Sequence, residues 1–492
     1  MPSADRGSKA HSQLPGGSKP KQRAGRDLGD VTALAQEPSA LTATGPDPAP
    51  ARPRPLHACP DLVLAVIVLG AVGCIGLWWQ NTPSISGVGD WLTNAGRITG
   101  LLAGYAMVVL VALMARIPPL ERGLGADRLA RWHAMGGRYS VSLVVAHGLL
   151  ITWGYAISAH TDPVSEGKTL LLSYPDVLMG TVAGLLLVGV GITSMRAARK
   201  RLKYETWYFL HFYTYLAIAL AFSHQFATGA EFMANATARW AWSLLYAAVG
   251  TAILWYRFVT PARQFRRHQL RVDSVIHESA DTVSVVLRGR HLHELGAESG
   301  QFFRFRFLTK DLWWVSSPYS LSAAAYPDRL RITVKDLGDH SQALADLPSG
   351  TRVFTEGPYG AMTAARRTRR KVLLLAGGVG ITPIRALFQT LPAEPGDLTL
   401  IYRASNASDV LFRSELEQLA EQRGAHLHVI TGTRQELGGD PLHAQALQRN
   451  VPDLTEHDVY LCGPDGMTTA AVAALRQAGV PRQRIHHESF TF

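Results

Sequence analysis

Long uncharged apolar runs alternate with short charged segments in the first half of the chain, between Leu62 and Tyr256. A helix rises about 1.5 Å per residue, so about 20 such residues cross a hydrocarbon layer roughly 30 Å thick. The pattern therefore predicts six transmembrane helices and excludes a purely soluble protein. The predicted helix cores are Leu62–Trp79, Ile98–Ala115, Tyr139–Ser158, Val177–Met195, Trp207–Phe226 and Trp240–Tyr256.

Basic residues are distributed unevenly among the loops between these runs. Residues 116–132, residues 196–206 and the segment after Tyr256 are rich in arginine and lysine. The other loops contain one basic residue each, namely Arg97, Lys168 and Arg239. Basic loops are typical of the cytoplasmic side of a membrane. We therefore expect a multi-pass plasma-membrane protein whose N- and C-termini are both cytoplasmic.

From Pro261 onward the hydrophobic pattern changes to that of a water-soluble protein. Short alternating runs predict a small antiparallel β-barrel, and a later repeat of strand, glycine-rich turn and helix predicts an α/β domain with a parallel sheet. The predicted barrel strands are Thr282–Leu287, Gln301–Phe307, Leu330–Val334 and Thr351–Phe354. The predicted sheet strands are Val372–Leu375, Leu398–Tyr402, His428–Ile430 and Val459–Leu461.

These patterns divide the 492 residues into a tail at 1–56, an all-α six-helix transmembrane domain at 57–260, a β-barrel domain at 261–365 and an α/β domain at 366–492. The tail contains no apolar run, so we expect a disordered cytoplasmic segment rather than a cleavable signal peptide. The chain has a net charge of +11, and its basic tail is either solvated or in contact with anionic membrane lipid. We expect no nucleic-acid partner. Three cysteines are too few for a disulfide framework, a four-cysteine iron–sulfur cluster or a cysteine-based zinc site.

Four histidines lie at membrane depth in two of the predicted helices. His133 flanks the third predicted helix and His147 lies within it, 14 residues further on. His211 and His224 lie in the fifth and are 13 residues apart. These separations correspond to about 21 Å and 20 Å along the helix axes. Because both helices are predicted to run outward, His133 should be level with His211 near the inner face, and His147 level with His224 near the outer face.

Two level histidine pairs between parallel helices predict two haems, because neutral imidazole is a suitable axial ligand on both sides of the iron. A zinc site is not indicated, because zinc ligands converge at one depth. The alternative is a set of interfacial or hydrogen-bonded histidines. On a straight helix, a separation of 13 residues places the side chains of His211 and His224 about 140° apart around the axis. This requires either a bent fifth helix or haems that approach it from different sides.

Arg97 stands at the predicted outer end of the second helix, where basic residues are scarce. It is suited to pair with the propionates of an outer haem or to steady a negatively charged acceptor. The alternative is an ordinary interfacial arginine.

Four segments of the soluble half carry candidate chemistry. Ser317–Ser322 is suited to contact a flavin ring, and the glycine turn in Lys335–Ser341 is suited to hold a pyrophosphate; each alone is a weak signal. Leu375–Pro383 has the strand, glycine turn and helix start of a dinucleotide site, with an ordinary tight turn as the alternative. Cys462-Gly463-Pro464 ends a strand at the edge of the sheet where ligands bind, with a buried structural cysteine as the alternative.

The choice of nucleotide depends on the residues near the adenosine ribose. Arg403 ends the second strand of the nucleotide sheet, and Arg413 follows it. An arginine there can pair with the 2′-phosphate of NADPH. We therefore expect NADPH, with NADH as the alternative if Arg403 is only a surface residue.

Together these residues resemble the NADPH oxidase / ferric reductase superfamily, and its bacterial oxidase-like members in the histidine spacing, over about residues 60–492. Members of that superfamily join a six-helix di-haem membrane domain to a ferredoxin–NADP reductase-like flavoprotein. The resemblance implies that His133 and His211 ligate an inner b-type haem. It likewise implies that His147 and His224 ligate an outer one.

The same resemblance assigns contacts in the flavoprotein half. FAD contacts are implied at Tyr319, Ser320, Leu321, Ser322, Gly338 and Ser341, and NAD(P) contacts at Gly377, Gly378, Gly380, Thr382, Pro383, Cys462, Gly463 and Pro464. The C-terminal aromatic that covers the flavin would be Phe490, with Phe492 as the alternative. We expect catalytic contacts at Cys462, Phe490 and Arg97. Ser317 departs from the family's Arg-x-Tyr-Ser motif, which weakens an expected contact with the FAD phosphate.

The implied function is an electron relay from cytoplasmic NADPH through FAD and two haems to an acceptor outside the cytoplasm. The histidine spacing favours O2, reduced to superoxide, and ferric-chelate reduction is the alternative. A second alternative is a haem-binding membrane subunit that delivers electrons to a protein partner. A third is a flavin reductase merely anchored by helices, which would not need the four histidines.

Overall fold

The computed structural model describes residues 58–82, 84–202, 204–233 and 235–487. The tail predicted at 1–56 and the aromatics Phe490 and Phe492 lie outside the described residues. The described chain begins with apolar helices and continues into sheet-containing units. This order confirms the predicted succession of a part with several apolar helices and a part that contains sheets.

The N-terminal half is helical throughout. Its helices are α1 (Pro60–Gln80), α2 (Val88–Leu113), α3 (Pro118–Leu124), α4 (Ala126–Ser158), α5 (Pro163–Ser173), α6 (Val177–Ser194), α7 (Tyr204–Thr228) and α8 (Ala236–His268), with single turns at Arg196–Arg199 and Ala230–Met233. Within the described ranges, five helices are long and apolar enough to cross a membrane, namely α1, α2, α4, α6 and α8. Helix α7 covers the predicted fifth span and has 25 residues, so the number of six spans stays a prediction.

Local sequence explains where several of these helices begin and end. Proline occupies the first turn of α1, α3 and α5, where its missing N–H is not needed. The Asp162 carboxylate accepts hydrogen bonds from the amides of Val164 and Ser165 at the start of α5. Helix α8 continues from the membrane part into the soluble half through a π-helical segment at Leu254–Val259.

Two three-stranded antiparallel sheets follow α8. Their strands are β1 (Arg271–Ser279), β2 (Thr282–Arg288), β3 (Phe302–Phe307), β4 (Ser317–Ser320), β5 (Arg329–Lys335) and β6 (Val353–Tyr359), with the short helix α9 (Asp339–Gln342) before β6. The strand orders are β1-β2-β5 and β4-β3-β6. Both sheets contribute to one apolar core, in which Phe303, Phe305 and Leu321 are fully buried.

The predicted barrel does not close over the described residues. Outside the named strands, only the isolated bridges Arg271–Arg352 and Leu321–Ile332 appear in this part of the chain. Strand β4 has four residues and contains Pro318, which has no N–H to extend the ladder. The predicted closed barrel is therefore observed as two packed sheets.

The last unit is a five-stranded parallel sheet covered by helices. Its elements are β7 (Lys371–Gly377), α10 (Ile381–Thr390), β8 (Leu398–Arg403), α11 (Arg413–Arg423), β9 (His426–Ile430), α12 (Ala444–Asn450), β10 (His457–Cys462), α13 (Asp465–Gln477) and β11 (Ile485–His487). The strand order is β11-β10-β7-β8-β9. The direction of winding therefore reverses between β7 and β10, which is where ligands bind in sheets of this kind.

The soluble half contacts the α3 segment and the end of α8. Arg366 donates a hydrogen bond to the carbonyl oxygen of Gly123 at 2.7 Å, and the Arg116 guanidinium lies 4.4 Å from the ring centre of Tyr359. The Gln264 amide donates to the carbonyl oxygen of Gly357 at 2.8 Å. These contacts place the end of β6 against the segment that leads into α4.

Candidate functional site

The four membrane histidines form two close pairs between α4 and α7. The ring centres of His133 and His211 are 5.9 Å apart, and those of His147 and His224 are 6.2 Å apart. The pairs that meet are those predicted to lie at the same depth. The 13-residue separation on α7 therefore does not prevent either contact.

Both histidines on α4 are oriented by backbone carbonyl groups of α2. Nδ1 of His133 lies 3.1 Å from the carbonyl oxygen of Leu110, and Nδ1 of His147 lies 2.8 Å from that of Gly96. A carbonyl oxygen only accepts hydrogen bonds, so Nδ1 carries the proton in each ring and Nε2 keeps its lone pair. This arrangement is typical of histidines that bind a metal through Nε2.

The partner histidines on α7 have different surroundings. Nδ1 of His211 is buried and has no hydrogen-bond partner within the described residues. The Trp207 ring stacks on His211 with centres 5.2 Å apart. His224 lies with Nδ1 3.2 Å from the hydroxyl of Thr228. Neither Trp207 nor Thr228 was predicted, because nothing in the local sequence distinguishes them from other residues of an apolar helix.

The two pairs fit a metal ion held between their rings. Imidazoles that bind one metal from opposite sides at about 2.0–2.1 Å have ring centres roughly 6 Å apart. Glycines on neighbouring helices leave room for the outer rings, since a Cβ at Gly100 would lie 2.5 Å from His147 Nδ1 and one at Gly180 would lie 2.6 Å from His224 Cγ. The residues present therefore suit two bis-histidine haems.

Arg97 is held in a buried ion pair. Its Nη2 lies 2.7 Å from a carboxylate oxygen of Glu231, and its Nη1 donates to Asn94 Oδ1 at 2.9 Å. The side chains of Arg97 and Glu231 are 14% and 5% exposed. Nothing near Arg97 in the sequence indicates Glu231 as its partner, because the two residues are far apart in the chain. Arg97 follows Gly96, whose carbonyl group orients His147, so the structure brings Arg97 next to the outer pair.

The predicted flavin motif is partly buried in the two antiparallel sheets to which it belongs. The Tyr319 ring stacks against that of Phe305, with ring centres 6.4 Å apart and planes inclined by 23°, and burial raises the pKa of its hydroxyl. Ser320 is buried, and Leu321 and Ser322 are fully buried. Leu321 belongs to the apolar core and Ser322 to a hydrogen-bond network, so the backbone and the Tyr319–Ser320 end of the motif are what can meet a ligand.

The predicted pyrophosphate turn is exposed. Gly338 has φ +145°, and no atom lies within 4 Å of a Cβ built there. The Ser341 hydroxyl accepts a hydrogen bond from the Leu337 amide at 2.8 Å, and Asp336 accepts one from the Gly338 amide at 3.1 Å. The turn is open to a ligand, but part of its donor capacity is used within the turn.

The predicted nucleotide loops meet at the point where the sheet reverses its winding. A Cβ at Gly380 would lie 2.7 Å from the amide nitrogen of Gly463, so the glycine turn and the loop after β10 are in close contact. Gly378 has φ +52°, and the space beside it is open, which suits the close approach of a pyrophosphate. Cys462 is fully buried at the end of β10.

Other predicted nucleotide contacts serve structural roles in this structure. Thr382 and Pro383 are buried at the start of α10, and the Thr382 hydroxyl donates to the carbonyl oxygen of Val379 at 3.0 Å. The guanidinium of Arg403 donates to backbone carbonyl groups of Ala404, Ile430 and Gly432. Arg403 therefore has backbone partners already, which weakens its assignment to a 2′-phosphate.

The last described residues approach the start of α4. Burial is the largest cause that lowers the pKa of His487, and Asp127 opposes it while Arg131 adds to it. Both charged residues belong to the first turns of the helix that carries His133. The predicted flavin-covering aromatics, Phe490 and Phe492, are three and five residues beyond His487 in the sequence.

Two family models match parts of this chain. The ferric reductase like transmembrane component matches residues 99–222, and the oxidoreductase NAD-binding domain matches residues 374–473. The first range contains His133, His147 and His211 and ends just before His224.

Several curated relatives and solved structures match about half of the chain. The ferredoxin reductase component of 3-ketosteroid-9-alpha-monooxygenase from Mycolicibacterium smegmatis is 32% identical over 232 residues, which cover 45% of this chain and 65% of the relative. The glycine betaine monooxygenase reductase subunit from Chromohalobacter salexigens is 28% identical, with coverage of 46% and 64%. The chain thus spans less than two thirds of these relatives. The flavohem-like FAD/NAD binding domain of nitric oxide dioxygenase from Vibrio cholerae is 26% identical, with coverage of 45% of this chain and 98% of that chain and a TM-score of 0.38.

The matched ranges agree with the helical and sheet-containing parts of the fold. The first lies within the apolar helices and includes three of the four paired histidines, and the second includes the glycine turn and the loop after β10. The chain therefore joins a ferric-reductase-like transmembrane domain to a ferredoxin-reductase-type FAD/NAD-binding unit, which is the architecture of the NADPH oxidase / ferric reductase superfamily.

Proposed function

We propose that this chain transfers electrons from cytoplasmic NADPH, through FAD and two b-type haems, to an acceptor outside the plasma membrane. The observation that supports the proposal best is the pair of close imidazole contacts at two depths between α4 and α7. When bound, the flavin converts the two-electron hydride donor into single electrons, and the haems carry those electrons one at a time.

The chain's own residues have distinct tasks in this proposal. The amides around Gly378 and the start of α10 bind the nucleotide pyrophosphate, and the Cys462 loop borders the nicotinamide. Tyr319 and Ser320 orient the flavin. His133 with His211, and His147 with His224, hold the two irons, and the carbonyl groups of α2 keep Nε2 of the α4 histidines unprotonated.

The proposal includes six spans, with α7 as the fifth. Helix α7 carries both partner histidines and packs against α6 and α4, so it must lie at the same depth as those helices. The basic loops support a cytoplasmic location for both termini in this proposal. The soluble half, divided near residues 260 and 365, faces the same side.

Oxygen, reduced to superoxide, is the proposed acceptor, with a ferric chelate as the alternative. Arg97 and Glu231 lie beside the outer pair and neutralise each other there. Neither acceptor needs a proton from the protein for the first electron. Oxygen and a ferric chelate can be distinguished by how quickly each reoxidises the reduced protein.

The test uses the full chain purified in detergent, reduced by NADPH without oxygen while the haem absorption is followed. Air or a ferric chelate is then admitted, with superoxide measured with and without dismutase. Rapid dismutase-sensitive reoxidation in air supports an oxidase, and rapid reoxidation only by the chelate supports a ferric reductase. No haem band contradicts the proposal. Reoxidation by neither acceptor favours delivery of electrons to a protein partner.

A matched pair of variants tests the route. His147→Asn should abolish electron delivery outside while NADPH still reduces the flavin. His160→Asn, at an exposed left-handed position after α4, should behave as wild type because asparagine tolerates that conformation. Outward transfer that survives in His147→Asn would contradict the two-haem route.

A further inference from the structure

A buried polar cluster joins two parts of the fold. One is the pair of three-stranded sheets β1–β6, which carries the flavin motif and is called the flavin half below. The other is the parallel-sheet unit β7–β11, which carries the nucleotide loops and is called the nucleotide half. Arg331 on β5 donates two hydrogen bonds to the carboxylate of Glu415 on α11, at 2.9 and 3.0 Å. Arg385 on α10 forms a second ion pair with Glu415 at 2.7 Å. The three side chains are between 7% and 11% exposed. The Arg331 guanidinium also lies 4.8 Å from the ring centre of Phe412.

The same cluster holds the segment directly after the flavin strand β4. Arg331 Nη2 and Arg385 Nη1 both donate to the carbonyl oxygen of Ser322, each at 3.1 Å. Gln389, one turn further along α10, accepts from Arg385 at 2.8 Å and from the amide of Ala324 at 2.9 Å. The backbone that follows Tyr319 and Ser320 is therefore fixed by side chains of the nucleotide half.

Helix α10 connects both predicted binding elements. Its first residue follows the glycine turn Gly378–Gly380, and its second turn carries Arg385. One rigid helix thus links the loop expected to hold the nucleotide to the strand expected to hold the flavin. A shift of this helix changes both positions together.

Two guanidinium groups of the cluster face one carboxylate, that of Glu415. Burial raises the pKa of Glu415 but its bonds to Arg331 and Arg385 outweigh burial, so the net shift is downward. Burial, with Arg331 nearby, lowers the pKa of Arg385 to about 10. Glu278 on β1 is the second carboxyl group in range, and burial raises its pKa. Tyr326 is the remaining titratable group that acts on Arg385.

Stability alone does not account for such a cluster, because replacing a buried ion pair by apolar residues is often neutral or stabilising. We infer that the Arg331–Glu415–Arg385 cluster is a positioning device that sets the distance between the nicotinamide and the flavin. The inference rests on the proposed function. In hydride transfer, one hydride ion, which carries two electrons, would pass from the reduced nicotinamide to the flavin, so the nicotinamide would be oxidised and the flavin reduced. The cluster makes and breaks no bond.

The test compares Glu415→Gln and Glu415→Asp with Glu417→Gln. Glu417 is an exposed residue on the same helix that pairs with Arg413, so it is a matched control. The aspartate keeps the charge but is too short to reach both arginines, and it guards against misfolding caused by two uncompensated arginines. Stopped-flow reduction of the flavin by NADPH under anaerobic conditions gives the rate constant of hydride transfer.

The expected result is a rate constant lowered about tenfold to a hundredfold in both Glu415 variants, since misplacement by about 1 Å has effects of that size. FAD content and the KM for NADPH should stay at wild-type values. A second readout needs no cofactor: hydrogen exchange at the Ala324 amide should become faster, because Gln389 loses the support of Arg385. Glu417→Gln should change none of these quantities.

Three outcomes would overturn the inference. One is an unchanged rate constant in both folded Glu415 variants. Another is a rise in KM at constant kcat, which would indicate nucleotide binding instead. The third is loss of FAD or of cooperative unfolding in both variants, which would make the cluster purely structural. Failure of the wild-type protein to accept hydride would instead contradict the proposed function.

Discussion

Gly100 offers a sharp test of the outer histidine pair. The residue lies on α2, and a Cβ built there would be 2.5 Å from Nδ1 and 2.8 Å from Cε1 of His147. Non-bonded atoms are attracted at about 3.5 Å or more, so Gly100→Ala must push the ring back by about 1 Å. That movement leads away from α2. It therefore also breaks the 2.8 Å hydrogen bond from Nδ1 to the carbonyl oxygen of Gly96.

The free-energy cost of Gly100→Ala is the sum of three effects. Overpacking costs about 1–3 kcal/mol, and loss of the hydrogen bond costs about 0.5–1.5 kcal/mol. Alanine is favoured over glycine within a helix by about 1 kcal/mol, which offsets part of the loss. Together these effects destabilise the arrangement that holds the His147 ring by about 2 kcal/mol. This corresponds to roughly thirtyfold weaker retention of a group bound by His147.

The assay is the haem-to-protein ratio of Gly100→Ala after purification, together with its reduction by NADPH. We expect loss of the outer haem, retention of the inner one and unchanged reduction of the flavin. Gly148→Ala is the control, because no atom lies within 4 Å of its Cβ and only the helix preference should act. Two haems per chain and a wild-type spectrum in Gly100→Ala would refute the reasoning.

Three further predictions concern other parts of the chain. Glu231→Gln leaves the buried Arg97 without a counter-charge and should lower stability by about 3–5 kcal/mol; unchanged thermal unfolding in detergent would contradict it. Gly380→Ala places a Cβ 2.7 Å from the Gly463 amide nitrogen and should weaken NADPH binding about tenfold, whereas Gly466→Ala, in open space, should not; calorimetric titration with NADPH distinguishes them. Burial raises the pKa of Tyr359 and of Tyr402 to about 12. The unfolded state releases these protons first, near pH 10, so stability should fall as the pH rises above about 10. Melting temperatures across that range check it, and Tyr402→Phe should reduce the fall.

Hydrophobic periodicity predicted most of the fold. Every predicted strand overlaps an observed strand, and helices cover all six predicted apolar cores to within two residues. The strands that were not predicted have weak local signals, since β1 carries charged residues on both faces, β4 contains Pro318 and β11 has only three residues. The unclosed barrel has the same origin, because pairing at the end of a short strand depends on tertiary contacts rather than on its own sequence.

The sequence predicted those parts of the candidate site whose residues form a recognisable pattern within one short segment. Histidine depth and glycine turns are visible in a single stretch of sequence, and the structure brings those residues together. Glu231 and the cluster around Glu415 were missed because each acts through a partner distant in the chain. Trp207 stacks on His211 only four residues away, and it was missed because its local sequence does not distinguish it from other residues of an apolar helix. Arg403 shows the opposite problem, since its sequence position suits a phosphate but its guanidinium donates to backbone carbonyl groups.

The contacts of β6 indicate which histidine pair would receive electrons first. Ser320 of the flavin strand pairs with Phe302, and Phe302 pairs with Tyr359 on β6. Tyr359 lies under Arg116 in the segment that leads into α4. Neighbouring strands are about 4.8 Å apart, so the backbone of the flavin motif is about 10 Å from that of Tyr359, which contacts this segment.

From that segment the inner pair is the nearer one. His133 lies about two turns into α4, or roughly 10 Å along the axis, whereas His147 lies about 21 Å further. A relay that leaves the flavin strand therefore meets His133 and His211 before His147 and His224. This order requires the soluble half to stay docked on the α3 segment, so the contact between Arg366 and Gly123 would matter for the rate of transfer into the membrane as much as for the stability of the fold.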